Sequence, residues 1–346
     1  MKIARWIRDG IREDGVVDSN HVFPFANAVT VADLLAVGLD AALDFGARAV
    51  SGGAGTPLDH VQLVSPLAPT SIRDFAVFEQ HVEGMVRGTS GDVRATVPEA
   101  FYEEPVFYFT NPHSIVSDRE PVTAPAETRQ LDFELELAAI IGAAPGRVGR
   151  NIAPAEATEH VFGYTIMNDW SARDLQAREM RMRLGPCKGK DFGTSLGPWI
   201  VTRDEFDAHT DADGVVNARG TVRVNGIMVG EDSFANMAWT FGSLVAFASR
   251  NSLVVPGDVL GSGTVGHGCL AELWGRGGGR TPPALDEGDV VVLTIEGIGT
   301  LSNVVTRGGP TPAIPSGFRG RRVPSSPTST SGGSRPSGND ATGADW

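Results

Sequence analysis

Apolar and polar positions alternate in short runs through most of this chain, and only a few stretches carry the three-to-four-residue spacing of a helix. Ile3 to Ile7 and Gly15 to Asp18 read as two short strands joined at the turn-like Asp9-Gly10. Val31 to about Val50 reads as an amphipathic helix with Leu34, Leu35, Leu39, Ala42 and Phe45 on one side. Thr30 with Asp33 forms a capping-box-like start, and Ser51-Gly52-Gly53-Ala54-Gly55 breaks the pattern. These elements predict a small α+β N-terminal domain over residues 1–70. Ser71-Ile72-Arg73-Asp74-Phe75 then reads as the opening of a second helix running to about Arg87.

Between Pro105 and Val305 short β-like runs are separated by turn chemistry such as Asn225-Gly226, Pro256-Gly257-Asp258 and Glu287-Gly288-Asp289. Helical interruptions are expected at Pro154 to His160 and Ser233 to Ser249. The fold class that follows is α+β, predominantly β, with the main domain over 71–306. Residues 307–346 turn to Gly, Pro, Ser and Thr with scattered Arg, a composition that buries too little apolar area to offset chain ordering, so a disordered tail is expected there.

Charge narrows the possible partners. With 29 Lys and Arg against 42 Asp and Glu, the net charge is −13, which repels nucleic acid phosphates and anionic membrane faces. No stretch of eighteen apolar residues is present, so no membrane span is expected. The two cysteines, Cys187 and Cys269, lack the paired spacing of a zinc or redox motif, and MKIARWIRDG turns charged too early for a signal peptide. A reducing cytoplasm is the expected compartment. An acidic protein that binds an anionic substrate needs a local cluster of cations to do so.

Asp132-Phe133-Glu134-Leu135-Glu136-Leu137 puts three carboxylates on one face of a strand. A solvent-facing strand would explain this, but the continuation Ala138-Ala139-Ile140-Ile141-Gly142 reads as a strand entering a core, where paired carboxylates need a cation. Asp169 stands where the β-like run Gly163 to Asn168 meets a helix start, a place for an ordinary helix acid or for a ligand to a hard metal. Lys188 and Lys190 lie in a Gly-rich segment that does not match the phosphate-binding loop spacing. On the predicted second helix, Asp74 and His81 lie seven residues apart and share nearly one face. Glu272, within Leu270-Ala271-Glu272-Leu273-Trp274, sits between apolar neighbours on what reads as a strand.

Taken in order, DFELELA (Asp132 to Ala138), MNDWSARDLQ (Met167 to Gln176) and GKDFGTSLGPW (Gly189 to Trp199) resemble the fumarylacetoacetate hydrolase family over roughly Met1 to Val305. The resemblance implies a β-roll catalytic domain behind a small N-terminal domain, a homodimer, and Mg²⁺ or another hard ion such as Mn²⁺ or Ca²⁺. Carried over by position, the metal ligands are Asp74, Glu134, Glu136 and Asp169. His81 and Glu272 become the catalytic pair, Lys190 stabilises developing negative charge, and Arg173, Gln176 and Thr264 bind substrate. The implied reaction is hydrolysis of a C–C bond in a β-diketo acid, with His81 activating water.

The family's fumarylacetoacetate-cleaving members carry a tyrosine two residues after the first aspartate, where this chain has Ala76. A second tyrosine is replaced within Ala177-Arg178-Glu179-Met180, and a third, expected near Asn111-Pro112-His113, has no counterpart there. These departures point to a small oxo-acid other than fumarylacetoacetate. The same metal site also fits an oxo-acid decarboxylase, isomerase or hydratase, and loss of a ligand would have marked a non-catalytic binding protein; all four ligand positions are filled.

Overall fold

The computed structural model describes residues 1–317. Met1–Pro310 form one compact unit, and residues 311–317, which belong to a second unit, are exposed and carry no helix or strand. The expected disordered tail over 307–346 therefore lies outside the described residues from 318 onward. Two mixed sheets dominate the compact unit and helices are the minority, as an α+β, mostly β chain requires.

The larger sheet is built around the strand Leu135–Ile141, which is buried along its whole length. It pairs antiparallel with Val161–Asp169 on one side and with Val259–Gly261 on the other. Beyond Val161–Asp169 come Thr194–Thr202 and then the N-terminal strand Lys2–Arg8, so a single sheet crosses residue 70. Beyond Val259–Gly261 come Ile72–Phe75, in parallel, and Phe107–Thr110. A second sheet runs in the order Ile227–Ser233, Arg219–Val224, Val290–Ile295, Gly299–Arg307 and Val122–Ala124.

Two cores explain the unalternating apolar text of residues 135–141. Leu135, Leu137, Ala139 and Ile141 pack into one core with Val222, Leu293 and Leu301 of the second sheet. Ala138 and Ile140 pack into another with Ile3, Val16, Leu34, Leu35 and Ala42. Because successive side chains point to opposite faces, a strand covered on both sides is apolar at every position. Glu136 shares the face of Ala138 and Ile140, at the strand's opening end.

The sequence expectations need three corrections. The helix expected over residues 31–50 is two helices, Val31–Val37 and Leu39–Gly52, broken at Gly38, whose φ of 92° no helix accommodates. The capping box of Thr30 and Asp33 does form. The helix expected from Ser71 begins only at Glu79 and runs to Ser90; Ile72–Phe75 is a strand. Its backbone is claimed on both sides, by Val259–Gly261 and Phe107–Thr110, and all four of its residues are buried. Asp74 and His81 therefore do not share a helix face. Lastly, Leu270–Gly277 is a helix rather than a strand, with Cys269 at its N-cap and Gly278 in the left-handed conformation at its end.

The two short helices Glu79–Ser90 and Leu270–Gly277 touch backbone to backbone. A Cβ on Gly275 would stand 2.0 Å from the carbonyl oxygen of Gly84, and one on Gly84 would stand 2.4 Å from Cγ of Glu272. This close approach sets His81 beside Glu272. Overpacking a contact of this kind costs about 1–3 kcal/mol, against the ~1 kcal/mol that Ala gains over Gly in a helix. We expect Gly275→Ala to lower the urea midpoint with an unchanged m-value; an unchanged or raised midpoint would show that the helices can separate freely.

Candidate active site

Strand register brings the predicted carboxylates together. Asp74 is directly opposite both Gly261 and Tyr108, and Gly261 is opposite Ala138, so Asp74 and Glu136 meet across a residue without a side chain. A Cβ at Gly261 would lie 2.8 Å from Asp74 Oδ1 and 2.8 Å from Glu136 Oε2. Glu134 lies just before the strand Leu135–Ile141, its backbone N–H donating to Asn168 Oδ1 at 2.9 Å. Asp169 ends the neighbouring strand. Oxygens of Asp74, Glu134, Glu136 and Asp169 all lie within 4.8 Å of one another, and all four residues are buried.

Two cations offset part of this charge. Arg173 Nη2 contacts Glu134 Oε1 at 2.7 Å, and Lys190 Nζ donates to Glu134 Oε2 and, at 2.6 Å, to Asp169 Oδ2. Lys190 is buried, unlike its exposed neighbour Lys188. Burial pushes the Glu134 carboxyl up, but Arg173, Lys190 and His81 outweigh it and hold the group below the ordinary carboxylate range. Asp74 and Glu136 go the other way. Burial and then Asp169 push Asp74 well up; burial and then Asp74 do the same to Glu136. Asp169 is raised by burial, with Lys190 opposing.

A further positive charge at this point would offset that imbalance. Asp74 Oδ1, Glu136 Oε1 and Asp169 Oδ1 are buried without any hydrogen-bond partner. Three orphaned oxygens converging from separate strands, with no nitrogen or sulfur among the donors, fit a hard divalent cation.

The remaining predicted residues gather around this cluster. His81, Arg173, Gln176, Lys190 and Thr264 line the same cavity of ≈ 290 Å³ as Asp74, Glu134 and Glu136. Glu272 is fully buried behind His81, with its Oε2 3.7 Å from His81 Nδ1, while His81 Nε2 lies 4.0 Å from Glu134 Oε1. Arg276 at 3.0 Å and the backbone N–H of His267 at 2.8 Å fix the Glu272 carboxylate. Burial raises its pKa, but His81 and Arg276 together bring it below its ordinary value. The structure thus brings all ten predicted residues to one place.

Sequence reasoning missed one wall residue and misplaced one carboxylate. Tyr108 stands in the cavity wall and donates its hydroxyl to Asp169 Oδ2, so the wall holds a tyrosine after all, a few residues before Asn111-Pro112-His113. Burial and then Asp169 push its phenol well up, so it stays a donor. A lone tyrosine among Phe107, Phe109 and Thr110 was the available signal. Asp132 looks like a third carboxylate of the predicted row, yet it is not in the cluster. It accepts from Arg173 Nε at 2.9 Å and from the backbone N–H groups of Leu270 and Ala271 at 2.8 and 2.9 Å, tying Arg173 to the helix that carries Glu272.

Residues 70–306 match the family described as fumarylacetoacetate (FAA) hydrolase C-terminal. Over 289 residues the chain is 30% identical to the fumarylacetoacetase of Arabidopsis thaliana, which covers 68% of this chain and 67% of that protein. Over 250 residues it is 32% identical to the oxaloacetate tautomerase YisK of Bacillus subtilis, covering 72% of this chain and 74% of the relative. Among solved structures, a fumarylacetoacetate hydrolase from psychrophilic Exiguobacterium antarcticum superposes with a TM-score of 0.68 at 29% identity, over 89% of this chain and 100% of that one. Motif order, fold and match over most of the chain agree: this protein belongs to the fumarylacetoacetate hydrolase family.

Proposed function

We propose that this chain is a Mg²⁺-dependent hydrolase that cleaves a C–C bond in a small β-diketo acid of the acylpyruvate kind. The observation that carries the reading is the placement of His81 between Glu272 and the carboxylate cluster, with one ring nitrogen facing each. Such an imidazole has an orienting anion behind it and reacting groups in front, the arrangement a general base needs.

Asp74, Glu134, Glu136 and Asp169 would hold the ion, which when bound supplies Lewis-acid polarisation to the adjacent oxo groups of the substrate. Arg173 and Gln176 orient the acid. Gln176 Oε1 accepts from Arg173 Nη1 at 3.1 Å, which leaves the Gln176 amide N–H₂ free to donate to a substrate oxygen. Lys190 has used two of its three protons on Glu134 and Asp169 and keeps one for the oxygen on which negative charge develops. His81 Nε2 takes a proton from water as the hydroxide adds to the acyl carbonyl, and Glu272 stabilises the resulting imidazolium. The C–C bond then breaks, its electron pair leaves as the enolate of pyruvate against Lys190, and His81 returns the proton to that carbon. Water and acylpyruvate give one carboxylic acid and pyruvate, with no redox change.

Similarity to the oxaloacetate tautomerase favours a second reading, in which the same base shuttles a proton between carbon and oxygen of an oxo-acid without adding water. Ala76 and the other departures from the fumarylacetoacetate-cleaving pattern are compatible with it.

Product analysis by NMR with Mg²⁺ and a panel of acylpyruvates and oxaloacetate separates the two. Two carboxylic acids from an acylpyruvate, lost in Glu134→Ala, are expected; turnover of the oxaloacetate enol with every acylpyruvate intact would replace hydrolysis by tautomerisation. His81→Ala should lower kcat by about 10²–10⁴ while Mg²⁺ affinity, followed by calorimetry, stays near that of the parent. Mg²⁺ at a hundred times its Kd should stabilise the fold by about 2.7 kcal/mol, reversed by a chelator; no shift in the melting temperature would remove the cation from the carboxylate cluster.

A further inference from the structure

Behind the imidazole, Cys269 adds to His81 and Glu272 a ligand atom that the proposed reaction does not use. Cys269, at the N-cap of the helix Leu270–Gly277, is fully buried, and its Sγ lies 3.6 Å from His81 Nδ1. Glu272 Oε2 lies 3.7 Å from that same nitrogen, and the three ligand atoms are within 4.8 Å of one another. One sulfur, one imidazole nitrogen and one carboxylate oxygen make a donor set unlike the all-oxygen cluster nearby. Ions that take thiolate and imidazole are borderline-soft, Zn²⁺ foremost.

The spacing agrees. With a Zn–S bond of about 2.3 Å and Zn–N of about 2.0 Å, the sulfur and nitrogen of a tetrahedral site stand about 3.5 Å apart. The supporting hydrogen bonds are already present. The backbone N–H of Glu272 points to Cys269 Sγ at 3.4 Å, and His267 and Arg276 hold the Glu272 carboxylate.

We propose that His81 Nδ1, Cys269 Sγ and Glu272 Oε2 form a second metal site, selective for Zn²⁺-like ions over Mg²⁺, whose occupation switches the enzyme off. On binding, the S–H bond breaks, its proton goes to solvent, and the sulfur electron pair forms the metal bond. Coordination through Nδ1 fixes the imidazole as the tautomer with its proton on Nε2. A protonated Nε2 faces the cavity as a donor and takes no proton from water. Binding at this site is independent of the reaction; only the block on turnover rests on the base role assigned to His81.

The test is a Co²⁺ titration of Mg²⁺-saturated Cys187→Ala protein, in which Cys269 is the sole thiol. The expected result is a near-ultraviolet sulfur-to-cobalt charge-transfer band that saturates at one equivalent, is lost in the additional Cys269→Ser variant and is displaced by Zn²⁺. Zn²⁺ should inhibit the Mg²⁺-loaded enzyme, with the half-inhibiting concentration rising at least about tenfold in Cys269→Ser. No band in the Cys187→Ala protein overturns the site, and that measurement does not require Cys269→Ser to fold. A band with turnover unaffected by Zn²⁺ keeps the site and overturns the switch, together with the role of His81 as base.

Discussion

Four carboxylates are buried within 4.8 Å of one another, and much of the architecture around them answers the cost of that arrangement. An ionised carboxylate removed from water and left unpaired is destabilising by several kcal/mol. Arg173 and Lys190 supply two buried positive charges to these four carboxyl groups. Glu134 takes the larger share of that compensation, with a cation on each oxygen, and Asp74 and Glu136 receive almost none. The pair left uncompensated is also the pair that meets across Gly261 and keeps orphaned oxygens. Electrostatic deficit, free lone pairs and room coincide at one point, where a hard cation would restore the balance.

The scaffold that holds this point is rigid because it is strand-built. Asp74, Glu136 and Asp169 come from three strands of one sheet, and the strand Leu135–Ile141 at its middle is packed on both faces. Side chains fixed by such packing hold their geometry better than loop residues would. The histidine is carried differently. His81 and Glu272 ride on two short helices whose backbones touch through Gly84 and Gly275, so their separation is set by helix packing rather than by a direct hydrogen bond. Asp132 links the two halves, its Oδ2 accepting from Arg173 Nε and the Ala271 N–H and its Oδ1 from the Leu270 N–H at the start of the Glu272 helix.

Two sets of donor atoms therefore lie side by side: carboxylate oxygens in front of His81 and a sulfur–nitrogen–oxygen set behind it. The imidazole is common to both environments, since one nitrogen faces the cavity and the other faces Cys269 and Glu272.

The sequence by itself determined the class of the fold and named residue types that gather in one cavity. Carboxylate-rich DFELELA, the Asp169 corner and the paired lysines could be read as residue types, and their order along the chain carried the family resemblance. Local pattern also found the capping box at Thr30 and the turns of the β core. It failed where long-range partners outvoted local preference. Ile72–Phe75 became a strand because two distant segments pair with it, and Leu270–Gly277 became a helix although its apolar alternation fits either period. Tyr108 entered the cavity wall, and Asp132 bound Arg173 rather than joining the carboxylate cluster, for the same reason. Which side chains share a cavity depends on strand register and on glycine-mediated helix contact, interactions between residues up to about two hundred positions apart, and no local window contains them.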